Sequence, residues 1–97
     1  MKPKLKREVF ANVWDALEDD PVVAANLSMR SHVLIALQQR IEGWKLTQSK
    51  AARRLDITQP RLNDLLRGRI DKFSLDALVN LAKRADIKVQ LKIQKAA

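Results

Sequence analysis

Residues 46–68 read LTQSKAARRLDITQPRLNDLLRG, and this stretch decides the fold. Thr47 and Thr58 each follow an apolar residue, and threonine is a favoured helix N-cap because its hydroxyl oxygen accepts a hydrogen bond from a free backbone N–H. The two caps predict helices at about 48–55 and 59–67, joined by a tight turn. Apolar side chains recur where two such helices would meet, at Ala51, Ala52, Leu55, Ile57, Leu62 and Leu65. This arrangement predicts a helix-turn-helix.

The outer face of the second helix is predicted to be polar. Side chains of this kind can bond to base edges or phosphates in the major groove of DNA. The residues of this outer face, the two capping threonines and the residue that starts the first helix form the candidate DNA-binding set: Thr47, Gln48, Thr58, Gln59, Pro60, Arg61, Asn63, Asp64 and Arg67. A helix-turn-helix can also be a packing unit that touches no DNA, but the polar face and the positive charge of the chain favour binding.

Further helices are predicted on both sides of the motif. Asp20 followed by Pro21 is a strong start signal, because the carboxylate can accept from free N–H groups and proline has no N–H to lose. Gly43 can adopt a left-handed cap at the end of one helix, and Ser74 can cap the start of another. The predicted helices outside the motif span about 8–18, 22–27, 29–42 and 75–85.

The C-terminal residues 88–94 alternate between polar and apolar side chains, which is typical of a half-buried strand. Val89, Leu91 and Ile93 share one face. Because no second strand is evident, we expect this strand to pair with the same strand of another copy or with a partner's sheet edge. The sequence thus predicts an all-α bundle of five or six helices with one C-terminal β-strand, dimeric through that strand and the adjacent helix surface. Residues 1–27 would form an N-terminal extension and residues 28–97 the helix-turn-helix domain.

Composition restricts the classes of function. The chain has 97 residues, 46% of them hydrophobic, no cysteine, and a formal net charge of +8, which favours a polyanionic partner. The absence of cysteine excludes disulfides and thiolate metal sites. The only histidine, His32, has no partner at metal-ligand spacing, and no catalytic constellation is evident, so we expect no enzyme activity, metal or cofactor. No apolar run could span a membrane and no signal peptide is evident, which predicts a cytoplasmic protein.

An acidic cluster with a tryptophan precedes the helical domain. Trp14, Asp15, Glu18, Asp19 and Asp20 lie within seven residues of a chain that is otherwise basic. Tryptophan is enriched at the centres of protein interfaces, and the carboxylates would attract a basic protein. Docking to a basic partner and packing of Trp14 on its own domain are both open interpretations.

From about Met29 to Ala85, the motif and its flanking helices resemble the Xre-type helix-turn-helix regulators with a lambda-repressor-like fold. The resemblance implies that Gln48 contacts backbone phosphate and that Gln59 reads a base. Asp56 stands where these proteins commonly have glycine in the turn, and aspartate tolerates the left-handed conformation.

The stretches DALEDDPVVAANL (15–27), RSHVLIALQQRI (30–41) and DLLRGRIDKFSLDALVNLA (64–82) are similar to the HigA-like antitoxins. This similarity implies a repressor that neutralises a RelE-type (HigB-type) toxin and shuts down its own operon by binding an inverted-repeat operator in double-stranded DNA. Two other interpretations remain open. One is a solitary regulator, phage-derived or otherwise, without a toxin; the other is a protein-only adaptor whose helix-turn-helix packs on a partner.

Overall fold

The computed structural model describes residues 20–96, and this part of the chain is all-helical. Its elements are α1 (Pro21–Trp44), α2 (Gln48–Leu55), α3 (Gln59–Leu66), a 3-10 turn (Ile70–Lys72) and α4 (Leu75–Arg84). α1 packs mainly against α4, and α2 packs against α3. No helix within the described residues is both long enough and apolar enough to cross a membrane.

α1 is one continuous helix of 24 residues, so the predicted separation into two helices at 22–27 and 29–42 is wrong. Its start is as predicted, because the carboxylate of Asp20 accepts from the backbone N–H of Val22 at 2.9 Å. Leu27, at the predicted break, is buried in the core. Burial of this leucine on an unbroken helix face outweighs the weak helix propensity of its neighbours Asn26 and Ser28. The predicted domain boundary between residues 27 and 28 falls inside α1.

The C-terminal end of α1 also differs from the prediction. Gly43 lies within the helix, which continues to Trp44, and the left-handed cap is Lys45, with a φ of 55°. Trp44 packs against the core, and the guanidinium of Arg54 lies 4.1 Å from the centre of its ring. The longer helix brings this large apolar ring onto the domain, which explains why the helix does not end at the glycine.

The three caps predicted for the following helices are confirmed. The hydroxyl oxygen of Thr47 accepts from the N–H of Lys50, that of Thr58 from Arg61, and that of Ser74 from Ala77, at 3.1 to 3.2 Å. α2 has the predicted bounds, whereas α3 and α4 each end one residue earlier than predicted. Local capping chemistry therefore sets these boundaries.

The core lies where α1 meets the other helices. Its largest fully buried side chains come from every element: Leu34, Leu37, Leu55, Leu62, Leu65, Ile70, Phe73 and Leu78. Ala51 and Ala52 are also buried, where α2 and α3 pack together. Small side chains between two packed helices allow their axes to approach closely.

Three polar side chains of α1 bond to backbone carbonyls at the ends of other elements. Gln38 donates from Nε2 to the carbonyls of Leu65 and Leu66 at 3.0 and 3.3 Å. Arg40 donates to the carbonyls of residues 85 and 86, just after α4, and Arg30 donates to the segment around the 3-10 turn. Carbonyls at helix ends lack partners within their own helix, so α1 stabilises the ends of its neighbours.

Gln38→Leu keeps the side-chain volume but removes the donor, and it should lower the free energy of unfolding by about 1–3 kcal/mol. The cost arises because the carbonyl of Leu66 loses this donor and that of Leu65 keeps the N–H of Gly68 at 3.1 Å, while Gln38 itself is only 5% exposed. Removal of the buried Gln38 Oε1, which has no hydrogen-bond partner within the described residues, offsets part of this cost. Urea denaturation measures the effect. Gln39→Leu, at the exposed neighbouring position, is the matched control. Equal stability of the two variants would contradict this role of Gln38.

The C-terminal segment does not form the predicted strand. Residues 88–96 follow α4 without regular secondary structure, and Val89, Leu91 and Ile93 are 43%, 69% and 84% exposed. A strand needs a second backbone with which to bond, and residues 20–96 of a single chain supply none. Residues 20–96 therefore hold four helices where the sequence predicts five, because two predicted helices are joined in α1, and the helix predicted at 8–18 lies outside the described residues.

Candidate nucleic-acid interface

The turn between α2 and α3 is built around a left-handed aspartate. Asp56 has a φ of 59°, and its N–H bonds back to the carbonyl of Arg53 at 3.0 Å, while the N–H of Ile57 bonds to the carbonyl of Ala52 at the same distance. The Asp56 carboxylate also accepts from Arg84 at 3.1 Å, a contact between two exposed side chains. Aspartate thus adopts the conformation for which glycine is common at this position, as the sequence predicts.

α3 presents two different faces. Its inner face buries Leu62 and Leu65 completely, which anchors the helix in the core. On the other side, Gln59, Pro60 and Arg67 are exposed, and Arg61, Asn63 and Asp64 are half-buried. Thr47, Gln48 and Thr58 are exposed at the starts of the two motif helices. The structure therefore brings the predicted set together on the two helices of the motif, with the exposed amide of Gln59 in the first turn of α3.

Two members of the predicted set already have partners within the chain. Asp64 forms an ion pair with Arg69, with Oδ1 and Nη1 3.5 Å apart, so its negative charge is partly balanced. Arg61 donates from Nη1 to the carbonyl of Lys72 at 2.9 Å, and its guanidinium lies 4.0 Å from the centre of the Phe73 ring. Both contacts link α3 to the residues that follow it.

Comparison with known families decides what kind of domain this is. A family model described as a helix-turn-helix domain matches residues 16–94. The chain belongs to the helix-turn-helix domain family. No curated protein matches it. Helix-turn-helix domains place their second helix in the major groove of DNA, and the family is one of DNA-binding regulators that are typically not enzymes.

The predicted set omits two basic residues of this helix-turn-helix domain. Arg69 and Lys72 lie in the turn directly after α3; Lys72 is exposed, and the side chain of Arg69 is 40% exposed. With the exposed Arg67 they make three cations within six residues that also contain the exposed Asp71, and we name the three the post-helix cations. The close spacing of three cations after the motif is the sequence signal that could have included them.

The other predicted sites of the helix-turn-helix protein lie away from α3 in the sequence. Val89 lines a shallow groove of about 460 Å³ beside α4, whose other apolar lining residues are Val79 and Ile87. Trp14, Asp15, Glu18 and Asp19 lie outside the described residues. Asp20 caps α1, so this carboxylate has a structural role whatever else it contacts.

Proposed function

We propose that this helix-turn-helix protein is a transcriptional repressor that binds an inverted-repeat operator as a homodimer and acts by occupying it. One observation carries the proposal. α3 is held in the core by two fully buried leucines, while an exposed amide, Gln59, lies in its first turn and an exposed cation, Arg67, caps its C-terminal end. A rigid helix with such a face is suited to reading base edges in a major groove.

Within this proposal the residues of the face divide into two roles. Gln59 makes two hydrogen bonds to one adenine edge, since a side-chain amide matches the donor and acceptor that adenine shows in the major groove. Asn63, one turn further along α3, has the same chemistry. Thr47, Gln48 and Arg67 contact backbone phosphates, which hold the domain in register but carry no sequence information.

Dimerisation would come from the C-terminal segment. Leu91 and Ile93 expose large apolar surfaces on a segment whose backbone has no strand partner within residues 20–96. Pairing with the same segment of a second copy would satisfy the backbone and cover these side chains. Two linked domains then place two α3 helices in successive major grooves, which is why we expect an inverted repeat.

Truncation after Lys88 should weaken self-association and operator binding together, because the strand can no longer pair. The cut leaves Ile87, which packs against the core and donates its N–H to the carbonyl of Ala82 at 2.8 Å. Sedimentation velocity and a DNA titration measure the two effects. Leu91→Ser should act in the same direction, with Gln90→Ser on the opposite face as the matched control. A truncated protein that remains a dimer and binds DNA with full affinity would refute strand pairing.

We further propose that the repressor is the antitoxin of a RelE-type toxin. Support comes from the resemblance of its flanking helices to HigA-like antitoxins and from the acidic cluster around Trp14 in a chain of net charge +8. Carboxylates there would repel DNA yet attract a basic toxin, so the toxin would bind near the N-terminus and DNA at the central helix-turn-helix.

Coexpression with the reading frame next to its gene tests the antitoxin role. We expect a small basic protein to copurify with the full chain and to be absent from preparations of a variant that starts at Asp20, which keeps the cap of α1. A full chain that purifies alone but binds its upstream DNA would instead support a solitary regulator. A chain that binds a protein partner but no DNA would support an adaptor.

A further inference from the structure

The segment Ile70–Phe73, directly after the proposed reading helix, is held by two arginines from different helices. Arg30 of α1 donates from Nη1 to the carbonyls of Ile70 and Phe73 at 3.3 and 3.2 Å. Arg61 of α3 donates to the carbonyl of Lys72 at 2.9 Å. Three carbonyls of a four-residue segment thus accept from guanidinium groups. We name this arrangement the arginine clamp.

Arg61 is fixed by a second contact besides its hydrogen bond. Its guanidinium lies 4.0 Å from the centre of the Phe73 ring, which is itself only 1% exposed and forms part of the core. A planar cation that rests on an aromatic face and donates to a carbonyl has little freedom to turn towards another ligand. The half-buried state of Arg61 agrees with this orientation.

Two of the post-helix cations, Lys72 and Arg69, are held in place by different contacts. Lys72 is exposed, but its carbonyl is bonded to Arg61, so the backbone at this residue cannot rotate without breaking that bond. Arg69 is held separately: its N–H donates to the carbonyl of Asp64 at 3.1 Å, and its guanidinium pairs with the Asp64 carboxylate. Both cations are therefore prepositioned relative to α3.

We propose that Arg61 is a positioning residue for DNA binding, which holds Lys72 in place as a phosphate contact beside Arg69 instead of contacting phosphate itself. This inference rests on the proposed DNA-binding function and changes the role that sequence pattern predicts for Arg61. Prepositioned cations bind phosphates at a smaller cost in side-chain and backbone entropy than mobile ones.

Arg61→Lys distinguishes this role from a direct charge contact. Lysine keeps the positive charge and binds phosphate well as a point charge, so it would replace an arginine that contacts phosphate. Lysine has no planar guanidinium, so it cannot both stack on the Phe73 ring and donate to the carbonyl of Lys72 as Arg61 does. It would therefore not replace an arginine of the clamp. Arg61→Ala sets the scale for complete removal of the side chain.

Two matched controls are available in the same chain. Arg67→Lys changes an exposed arginine that we place on phosphate, and it should keep the affinity within about twofold. Arg40→Lys changes an arginine that also donates to backbone carbonyls, those of Ala85 and Asp86 after α4. Arg40→Lys should lower the free energy of unfolding without changing DNA affinity. It therefore controls for any loss of DNA affinity that comes only from a less stable fold.

The test uses the full chain and a duplex recovered from a random pool by selection with the wild type. We expect Arg61→Lys to lower affinity about tenfold, close to the effect of Arg61→Ala, and to reduce the salt dependence by about one unit of slope for each phosphate that is no longer neutralised. Amide hydrogen exchange of the free protein should accelerate at Lys72 and Phe73, whose N–H groups bond to the carbonyls of Arg69 and Ile70.

Each other outcome has a definite meaning. If Arg61→Lys keeps the DNA affinity of the wild type and the same dependence of affinity on salt, the proposal is overturned in favour of a direct charge contact between Arg61 and phosphate. If Arg61→Lys lowers DNA affinity but leaves amide hydrogen exchange at residues 72 and 73 unchanged, the proposal is overturned in favour of a direct bidentate contact of Arg61 with DNA. If the wild type selects no duplex at all, the proposed function itself fails, and the exchange data then report whether the clamp orders the segment without DNA.

Discussion

Leu62→Ala should lower the free energy of unfolding by about 2–5 kcal/mol, the largest effect that we expect from one substitution in α3. The side chain is completely buried and belongs to the core shared with α1 and α2. Truncation to alanine removes the contacts of this side chain with the core and leaves a cavity that the surrounding helices fill only in part. For a domain of this size the decrease is a large part of the total stability.

Equilibrium urea denaturation, followed by circular dichroism, measures this effect. Asn63→Ala is the matched control on the next residue of the same helix, because its side chain is only half-buried and should change stability by less than about 0.5 kcal/mol. Asn63→Ala should lower DNA affinity more than Leu62→Ala does, since Asn63 lies on the proposed reading side. Equal decreases in stability for the two variants would contradict the division of α3 into an anchoring and a reading side.

Gln59→Ala should cost about 1–3 kcal/mol of binding free energy on the correct operator and little on unrelated DNA. The reason is that its amide is exposed in the first turn of α3, where it can bond to one base edge, and alanine cannot replace those bonds. Specific affinity falls while the phosphate contacts, which do not depend on sequence, are kept.

Salt titrations on the operator and on a scrambled duplex measure both parts of this prediction. Arg67→Ala is the contrasting variant: it should weaken binding to both duplexes alike and flatten the salt dependence by about one unit of slope for each phosphate that it leaves without a cation. Gln39→Ala, an exposed glutamine on α1, should bind as the wild type does. If Gln59→Ala lowers affinity for both duplexes by the same factor, this helix does not read sequence.

The helix-turn-helix itself could be predicted from sequence because its determinants are local. Thr47, Thr58 and Ser74 each bond to a backbone N–H three residues ahead, so their effect is visible in a short window of sequence. Asp56 is left-handed where its N–H bonds back to the carbonyl of Arg53 at the end of α2, which is also a local contact. Such features do not depend on the rest of the fold, and the predicted boundaries of α2, α3 and α4 are correct to within one residue.

Predictions that depended on distant contacts were less accurate. The continuity of α1 depends on the burial of Leu27 against other elements, and the extension past Gly43 depends on the packing of Trp44. The arginine clamp joins Arg30 to carbonyls 40 and 43 residues away, and no short pattern indicates such a pair. The C-terminal strand needs a second backbone, which a single chain of residues 20–96 does not contain.

The central claim is that the outer face of α3 reads DNA sequence, and selection from a random pool of duplexes tests it most directly. Full-length protein is incubated with the pool at fixed salt, and the bound duplexes are amplified and sequenced over successive rounds. We expect enrichment of one inverted repeat with half-site centres about 10 base pairs, or a multiple of that, apart. Gln59→Ala should enrich a repeat that is relaxed at one position in each half-site. A wild-type protein that enriches no common sequence would contradict the claim.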